Sequence, residues 1–252
     1  MQKKRVLITG ATSGIGKATA ELLARDGFPL LLMGRRVHLL RDLVHKLVSE
    51  NTVDVQAWSV DVRDREALEK NISQNQHLLK DLGVIVNNAG LARGVTSFQE
   101  GELSDWDDVI ATNVTGVLNV TRLFLPFLLE QKQGYIVNIG SVAGRWVYPG
   151  GTIYNASKFA LRAINDGLRM DLLGKNIRVT NIEPGMVNTE FSLVRLGDEK
   201  KAESVYEGMT PLQANDIAET ISWCLQRPPH VNIQELVIYP TAQASPYHVF
   251  RE

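Results

Sequence analysis

The chain has 252 residues, with 27 lysines and arginines against 28 aspartates and glutamates, 44% apolar residues and a single cysteine. That apolar content supports a sizeable core and excludes a disordered chain, and at ~150 residues per domain the length leaves one or two domains open. A net charge of −1 supplies no basic excess of the kind nucleic acid or an anionic membrane demands, and a lone Cys224 forms no internal disulfide, which fits a reducing compartment.

The start, Met1-Gln2-Lys3-Lys4-Arg5, is basic, but the apolar segment after it reaches Gly10 in only four residues, so no secretory signal is expected. The longest apolar run, Leu123–Leu129, is broken by Pro126 and falls short of the ~20 residues of a membrane span. The expectation is a soluble, cytoplasmic protein with no nucleic-acid and no membrane partner.

The first β-type run, Arg5–Thr9, leads directly into Thr9-Gly10-Ala11-Thr12-Ser13-Gly14-Ile15-Gly16, and a helical stretch follows over Gly14–Arg25. Strand, glycine turn and helix N-terminus together suit a pyrophosphate. The glycines permit a tight turn and close backbone approach, and the helix end offers free N–H groups and a positive dipole. A strand-to-helix turn that binds nothing has the same appearance. The second run, Pro29–Met33, ends at Met33-Gly34-Arg35-Arg36. An acid there would accept from a free ribose 2′-hydroxyl, whereas two guanidiniums suit a 2′-phosphate. This predicts NADP over NAD, unless Arg35 and Arg36 are only solvated loop charges.

A helical stretch at Leu39–Glu50 precedes the third run, Asp54–Ser59, which is followed by Asp61-Val62; a helix at Arg65–Gln74 precedes the fourth, Val84–Asn87, which is followed by Asn88-Ala89-Gly90. Asp61 is placed to accept from an adenine amino group, and Ala89-Gly90 lets a flat ring lie against backbone. The long helical stretch Ser104–Leu129 leads to the fifth run, Tyr135–Ile139, and Ser141 stands just beyond it, able to hydrogen-bond a substrate oxygen. In the next helix, Thr152–Gly174, Tyr154 and Lys158 are four apart and share a face. A phenol titrates near ~10, and a nearby ammonium favours the phenolate and brings it toward working pH. An exposed helix pair without chemistry has the same spacing. The sixth run, Arg178–Ile182, opens onto Gly185–Pro211, which reads as an irregular segment long enough to be a lid; a helix at Ala214–Gln226 and a seventh run at Leu236–Tyr239 follow.

Strands alternating with helices imply right-handed crossovers and a parallel sheet covered on both faces. The predicted fold is α/β: a single doubly wound Rossmann domain over residues 1–252, with a seven-stranded parallel sheet, helices on both faces and a substrate lid at about residues 185–211. The five histidines show no metal-ligand spacing with acids or the cysteine, so no metal site is expected. Trp58, Trp106 and Trp223 read as core or subunit contacts; Trp146, close to Ser141, reads as one of these or as a wall of the substrate pocket. Cys224 reads as a small buried apolar residue.

Taken together, Thr9-Gly10…Gly14-Ile15-Gly16, Asn87-Asn88-Ala89-Gly90, Asn113, Ser141, Tyr154…Lys158 and Pro184-Gly185 resemble, in order and spacing, the short-chain dehydrogenase/reductase family over essentially the full length. The resemblance implies hydride exchange between a nicotinamide and a carbinol or carbonyl carbon. In it Tyr154 is the general acid/base, Ser141 orients the substrate oxygen, and Lys158 is both the partner of Tyr154 and a ribose contact. Asn113 helps hold a proton-relay water, and Pro184, Gly185, Val187 and Thr189 line the nicotinamide side. The ending Pro229-His230-Val231-Asn232-Ile233-Gln234-Glu235-Leu236…Pro240-Thr241-Ala242-Gln243, with Glu183-Pro184-Gly185-Met186-Val187…Thr189-Glu190-Phe191-Ser192…Arg195, is similar to the NADP-dependent 3-hydroxy acid dehydrogenases. That similarity implies a homotetramer acting on serine, L-allo-threonine, 3-hydroxypropionate or the matching semialdehydes. Arg195 matches the subgroup and is the expected partner of a substrate carboxylate. Arg93 and Arg145 depart from it; they either bind that carboxylate or mark a changed substrate. Two alternatives stand: a broad carbonyl or steroid reductase, and an NADP(H)-sensing binding protein without turnover, against which Asn113, Ser141, Tyr154 and Lys158 weigh.

Overall fold

The computed structural model describes residues 3–252; Met1 and Gln2, part of the basic start considered above, lie outside it. The near-continuous apolar runs form strands buried on both faces, as parallel strands under two helix layers must be. They are β1 (Arg5–Thr9), β2 (Leu30–Gly34), β3 (Val55–Ser59), β4 (Leu82–Asn87), β5 (Gly134–Ile139) and β6 (Ile177–Pro184), with β9 (Glu235–Ile238) at the far edge after two short strands, β7 (Val187–Asn188) and β8 (Leu212–Gln213). The sheet order is β3-β2-β1-β4-β5-β6-β9, and every neighbouring pair is parallel. The chain steps outward from β1 to β3 and then returns to β4 on the other side. This leaves a crevice beyond the carboxyl ends of β1 and β4, where open α/β sheets bind ligands.

Side chains alternate across the sheet. Val6, Ile8, Leu30, Leu32, Val84 and Val86 face α1 (Gly14–Arg25), α2 (Val37–Glu50) and α9 (Ala214–Leu225). Leu7, Leu31, Ile85, Ile136 and Val179 face the opposite layer of α3 (Arg65–Gln74), α5 (Val117–Glu130) and α6 (Thr152–Asp171). The segment predicted as one helix from Ser104 is α4 (Leu103–Ile110) continued into α5 through a π-helical turn, Ala111–Gly116, which contains Asn113. This 28-residue stretch is long and apolar enough to cross a membrane, yet half of its most apolar window is buried, with Val120, Phe124 and Leu128 fully so against the sheet.

A polar row then sets both helices on the sheet. Asn87, Asn138 and Asn181 are in register on β4, β5 and β6. Asn87 donates to Thr121 of α5 at 2.9 Å and to Asn138 at 2.8 Å, and Asn138 donates to Asn165 of α6 at 2.8 Å. Asn87 Oδ1, Asn165 Nδ2 and Asn181 Oδ1 have no partner among the described residues, but the bonds that are made are directional and specify helix height as apolar packing alone does not.

The Gly185–Pro211 segment is more ordered than its sequence predicts. It holds β7, α7 (Glu190–Leu196) and α8 (Glu199–Ser204). Thr189 Oγ1 accepts from the Phe191 amide at 3.3 Å, Gly197 ends α7 in the left-handed region at φ 65°, and Asp198 accepts from the Lys201 amide at 3.0 Å to start α8. Both helices are too short for an apolar period to register in sequence.

Phe124 is fully buried and meets Trp58 with ring centroids 6.0 Å apart. Phe124→Ala is expected to cost about 3–5 kcal/mol of folding stability, read as a lower urea midpoint; a loss below about 1 kcal/mol would contradict this packing.

Candidate active site

The glycine turn is built around two backbone crossings. Gly10 and Gly14 lie at φ 64° and 50°, and a Cβ at Gly16 would stand 2.4 Å from both Asn88 Nδ2 and the Gly10 carbonyl. Asn88 occupies that space because it donates to the Thr9 carbonyl at 2.9 Å, while Thr9 Oγ1 accepts from the amides of Asn88 and Ala89 at 3.0 and 2.9 Å. The ends of β1 and β4 are thus stitched together directly beneath the start of α1. No side chain caps that helix start and no acid lies in its first turn, so its N–H groups face the trough free to bind an anion.

Arg35 and Arg36, at the end of β2, differ in their partners. Arg36 donates through Nε and Nη2 to Thr12 Oγ1 at 3.2 and 3.1 Å and through Nη1 to Glu190 of α7 at 3.0 Å. Arg35 is exposed and, among the described residues, reaches only Asp61, at 3.7 Å. Asp61 also accepts from Arg63 at 2.8 Å, and these guanidiniums hold its carboxyl below the usual range against the opposing effect of burial. Arg63 engages both Asp61 oxygens, through its amide and Nε on one and through Nε and Nη2 on the other.

Trough and substrate end form one cavity of about 770 Å³, within the ~300–1,000 Å³ of small-molecule sites. Ser141, Tyr154, Lys158 and Arg195 line it together with Gly10, Thr12, Ser13, Gly14, Ile15, Arg35, Arg36, Asp61, Val62, Asn88, Ala89, Gly90, Pro184, Gly185, Val187 and Thr189. A dinucleotide with a 2′-phosphate fits these residues: an uncapped helix N-terminus, glycines with no room for a side chain, and two guanidiniums where an acid would otherwise stand.

Ala11, Gly16 and Asn113 do not line the cavity. Ala11 is fully buried with its amide on the Met33 carbonyl, and Gly16 packs beneath the turn. Asn113 donates to the Leu91 carbonyl at 2.8 Å and to Ser157 Oγ at 3.0 Å and accepts from the Leu91 amide at 2.9 Å. Both of its N–H bonds are engaged, so here it pins α6 to the Ala89–Leu91 loop.

The Tyr154–Lys158 pair departs from the sequence expectation in its electrostatics. Lys158 Nζ donates to the carbonyl of Ile139, the last residue of β5, at 2.8 Å and lies 5.8 Å from the Tyr154 ring centroid. Burial therefore dominates both groups. It pushes the Tyr154 phenol well above its ordinary value, with Tyr148 adding to the rise and Ser141 and Arg195 opposing it, and it pushes Lys158 down to about 8 against an upward pull from Glu183. The phenol is held as a neutral proton donor.

The three arginines considered for a substrate carboxylate separate cleanly. Arg195, in α7, donates to the Gly94 carbonyl at 3.0 Å and to Tyr148 Oη at 3.1 Å, and its guanidinium lies 5.7 Å from the Tyr154 ring. Arg93 lines the rim beside Asp105 and Asp108, at 3.9 and 3.7 Å. Arg145 turns inward to Glu183 and Glu235 and does not line the cavity. Trp146 is half exposed and also absent from the lining. Sequence reasoning missed Tyr148, Phe191, Tyr206 and Tyr247, which do line it. Phe191, whose ring centroid is 5.6 Å from that of Tyr154, lay inside a motif already singled out, whereas Tyr247 had no local signal.

Gly16→Ala is expected to weaken NADPH binding, followed by nucleotide fluorescence, by about tenfold or more, equivalent to ~1.4 kcal/mol. Gly167→Ala, whose added Cβ meets nothing within 4 Å, is expected to leave it unchanged. Equal affinities in the two variants would contradict the role of the turn.

Residues 4–199 match the short chain dehydrogenase family model. The chain is 42% identical to a serine 3-dehydrogenase of Rhizobium radiobacter over 98% of both chains, and 44% identical to sulfoacetaldehyde reductase 2 of Chromohalobacter salexigens over 95% of both. Its fold superposes on the closed form of serine dehydrogenase complexed with NADP+ with a TM-score of 0.90 at 38% identity, covering 98% of this chain and 100% of that one. With the strand order, the glycine turn and the Ser141, Tyr154 and Lys158 cluster in place, the chain belongs to the short-chain dehydrogenase family.

Proposed function

We propose that this chain is an NADP-dependent oxidoreductase that interconverts a small 3-hydroxy acid and its semialdehyde. The observation that carries this reading is that Arg195 and Tyr154 face each other in the cavity that also holds the glycine turn and the Arg35–Arg36 pair. The helix start at Gly14 and the two arginines hold the phosphates, Asp61 and Val62 the adenine end, and Gly90 and Lys158 the ribose. Pro184, Gly185, Val187 and Thr189 flank the nicotinamide. NADP, when bound, supplies the hydride acceptor or donor.

The protein supplies position and the proton. Ser141 Oγ accepts from the Ala143 amide at 3.1 Å, and its hydroxyl, beside Tyr154, is the donor that would meet a substrate oxygen. Tyr154 gives its phenolic proton to a carbonyl oxygen, or takes one from a hydroxyl in the reverse direction, and burial keeps it protonated until a substrate oxygen arrives. Arg195 Nη2 has no partner among the described residues and is free to take a carboxylate oxygen. Residues 185–211 act as the substrate lid. Tyr206 Oη bonds Ser192 Oγ and the Val187 carbonyl, each at 2.7 Å, and so ties the lid to the nicotinamide loop. A second reading, an aldehyde bearing a sulfonate, draws on the sulfoacetaldehyde reductase relative, since Arg195 suits either anion.

NADPH formation with L-serine, L-allo-threonine, 3-hydroxypropionate, 3-hydroxyisobutyrate, 2-hydroxyethanesulfonate and a bulky secondary alcohol separates these readings. The expected result is turnover of the hydroxy acids. Tyr154→Phe is expected to lower kcat by about 10²–10⁴, and Arg195→Ala to raise the acid KM by about 10–100-fold, the ~1.5–3 kcal/mol of a charged hydrogen bond, with the NADP KM unchanged. Turnover of the bulky alcohol alone, or an unchanged acid KM in Arg195→Ala, would overturn the substrate assignment.

We also infer a cytoplasmic homotetramer. Leu103, Ile110, Leu118 and Leu129 on α4–α5 and Met170 and Leu173 at the end of α6 are exposed apolar side chains, the kind of surface a partner subunit covers. Light scattering is expected to give four times the 28.0 kDa chain mass; a monomer would contradict it.

A further inference from the structure

Glu183, in β6, is completely buried immediately before the Pro184–Thr189 loop. A buried carboxylate is costly unless paired and hydrogen-bonded, and its partners come from three parts of the site. Arg145 Nε, from the turn that follows Ser141, lies on one oxygen. Arg162 Nε, eight residues after Tyr154 on α6, lies 3.2 Å from the other, which also accepts from Asn181 Nδ2 at 2.6 Å. Glu235 of β9 completes the cluster by pairing with the same two arginines, at 3.4 Å for Arg162. Arg162 Nη1 further donates to the Gly144 carbonyl at 3.2 Å, and a Cβ at Gly140, the residue before Ser141, would stand 3.1 Å from Glu183 Cγ.

We propose that Glu183 is a positioning residue for hydride transfer: buried where the Ser141 turn, helix α6 and the strand entering the nicotinamide loop converge, it locks the three together through Arg145 and Arg162. It acts through other groups and touches neither substrate nor cofactor. Two carboxylates and two guanidiniums make the cluster formally neutral, so removing either member leaves a net charge behind Lys158. The charged and titratable groups facing Lys158 are Tyr154 on its own helix, with Arg195 beyond it, and Glu183, with Arg145, Arg162, Glu235 and the Tyr239 phenol behind. Glu183 is the charge that pulls Lys158 upward against burial.

The inference rests on the assignment of Tyr154 and Lys158 to the reaction, and the test separates the two. Glu183→Gln keeps the side-chain shape and the acceptor for Asn181 but removes the charge; Arg145→Gln removes a guanidinium from a half-buried site. In wild type, kcat for carbonyl reduction is expected to fall as pH rises through about 8, where Lys158 loses its proton. Glu183→Gln is expected to move that limb down by about one pH unit and to lower kcat about tenfold or more. Arg145→Gln is expected to move it up, Arg145→Lys to restore it, and NADPH affinity to stay within about threefold in all three. The rate of Lys158 labelling by trinitrobenzenesulfonate against pH, read by peptide mass in the protein without added nucleotide, is expected to shift in the same two directions. A merely structural role moves neither limb nor labelling midpoint.

Limbs and midpoints that stay at the wild-type position, or that move the same way in both variants, would overturn the proposal. Should Glu183→Gln fail to fold, the direction of the Arg145→Gln shift decides alone. A Tyr154→Phe enzyme that stays active refutes the catalytic assignment and leaves the labelling midpoints to judge Glu183. An inactive Tyr154→Phe enzyme with unmoved midpoints refutes Glu183 only.

Discussion

A single buried hydrogen bond, from the Lys158 ammonium to the carbonyl of Ile139 at 2.8 Å, sets where the rest of the site stands. An ammonium taken out of water must find a strong acceptor, and the last carbonyl of β5 is one that no sheet neighbour uses. The bond fixes the height of α6 above the carboxyl edge of the sheet. Tyr154, one turn earlier, then opens into the cavity, while Asn165, two turns later, reaches the asparagine row through Asn138. One helix thus carries the reactive group at its first turn and its own registration below it.

Arginines do most of the remaining work, and their surroundings decide which work each does. Arg5 is buried between Asp54 at 2.6 Å and Asp81 at 3.0 Å on the amino edge of the sheet, far from any ligand. Arg145 and Arg162 face inward to two glutamates. Arg36 bridges the glycine turn and the start of α7, and Arg195 stands at the other end of that seven-residue helix, over Tyr154. The 185–211 segment is therefore held at one end beside Arg36 and the glycine turn and at the other beside Tyr154. Guanidiniums suit all these posts because they stay charged when half buried and present several donors at fixed angles.

The parts of this arrangement that a reader of the sequence can find are those whose chemistry is local. All seven strands of the sheet fall within two residues of their places because each is a short apolar run between turns, the largest offsets being the start of β4, at Leu82, and the end of β6, at Pro184. Gly10, Gly14 and Gly16 announce themselves because strand, turn and helix are contiguous, and Tyr154 with Lys158 because helical spacing is a local property. What escaped was decided by distant neighbours. Arg145 was a candidate for the substrate carboxylate, but Glu183 and Glu235, 38 and 90 positions away, turn it inward. The expected pull of Lys158 on the Tyr154 phenol is outweighed by burial, and Lys158 donates instead to a backbone carbonyl, which no spacing rule reveals. Helices α7 and α8 were hidden by their length, and Tyr247 by its distance in sequence from every motif of the site.

In the proposed reaction the carbinol carbon of a hydroxy acid exchanges hydride with NADP while the proton passes through Tyr154. The most direct test is a single turnover with L-serine dideuterated at C3, followed by mass analysis of the nucleotide. One deuterium on the reduced nicotinamide ring is expected for each turnover, with the hydroxyl proton released to solvent. Nucleotide reduced without deuterium, or label washed into solvent, would contradict that reaction.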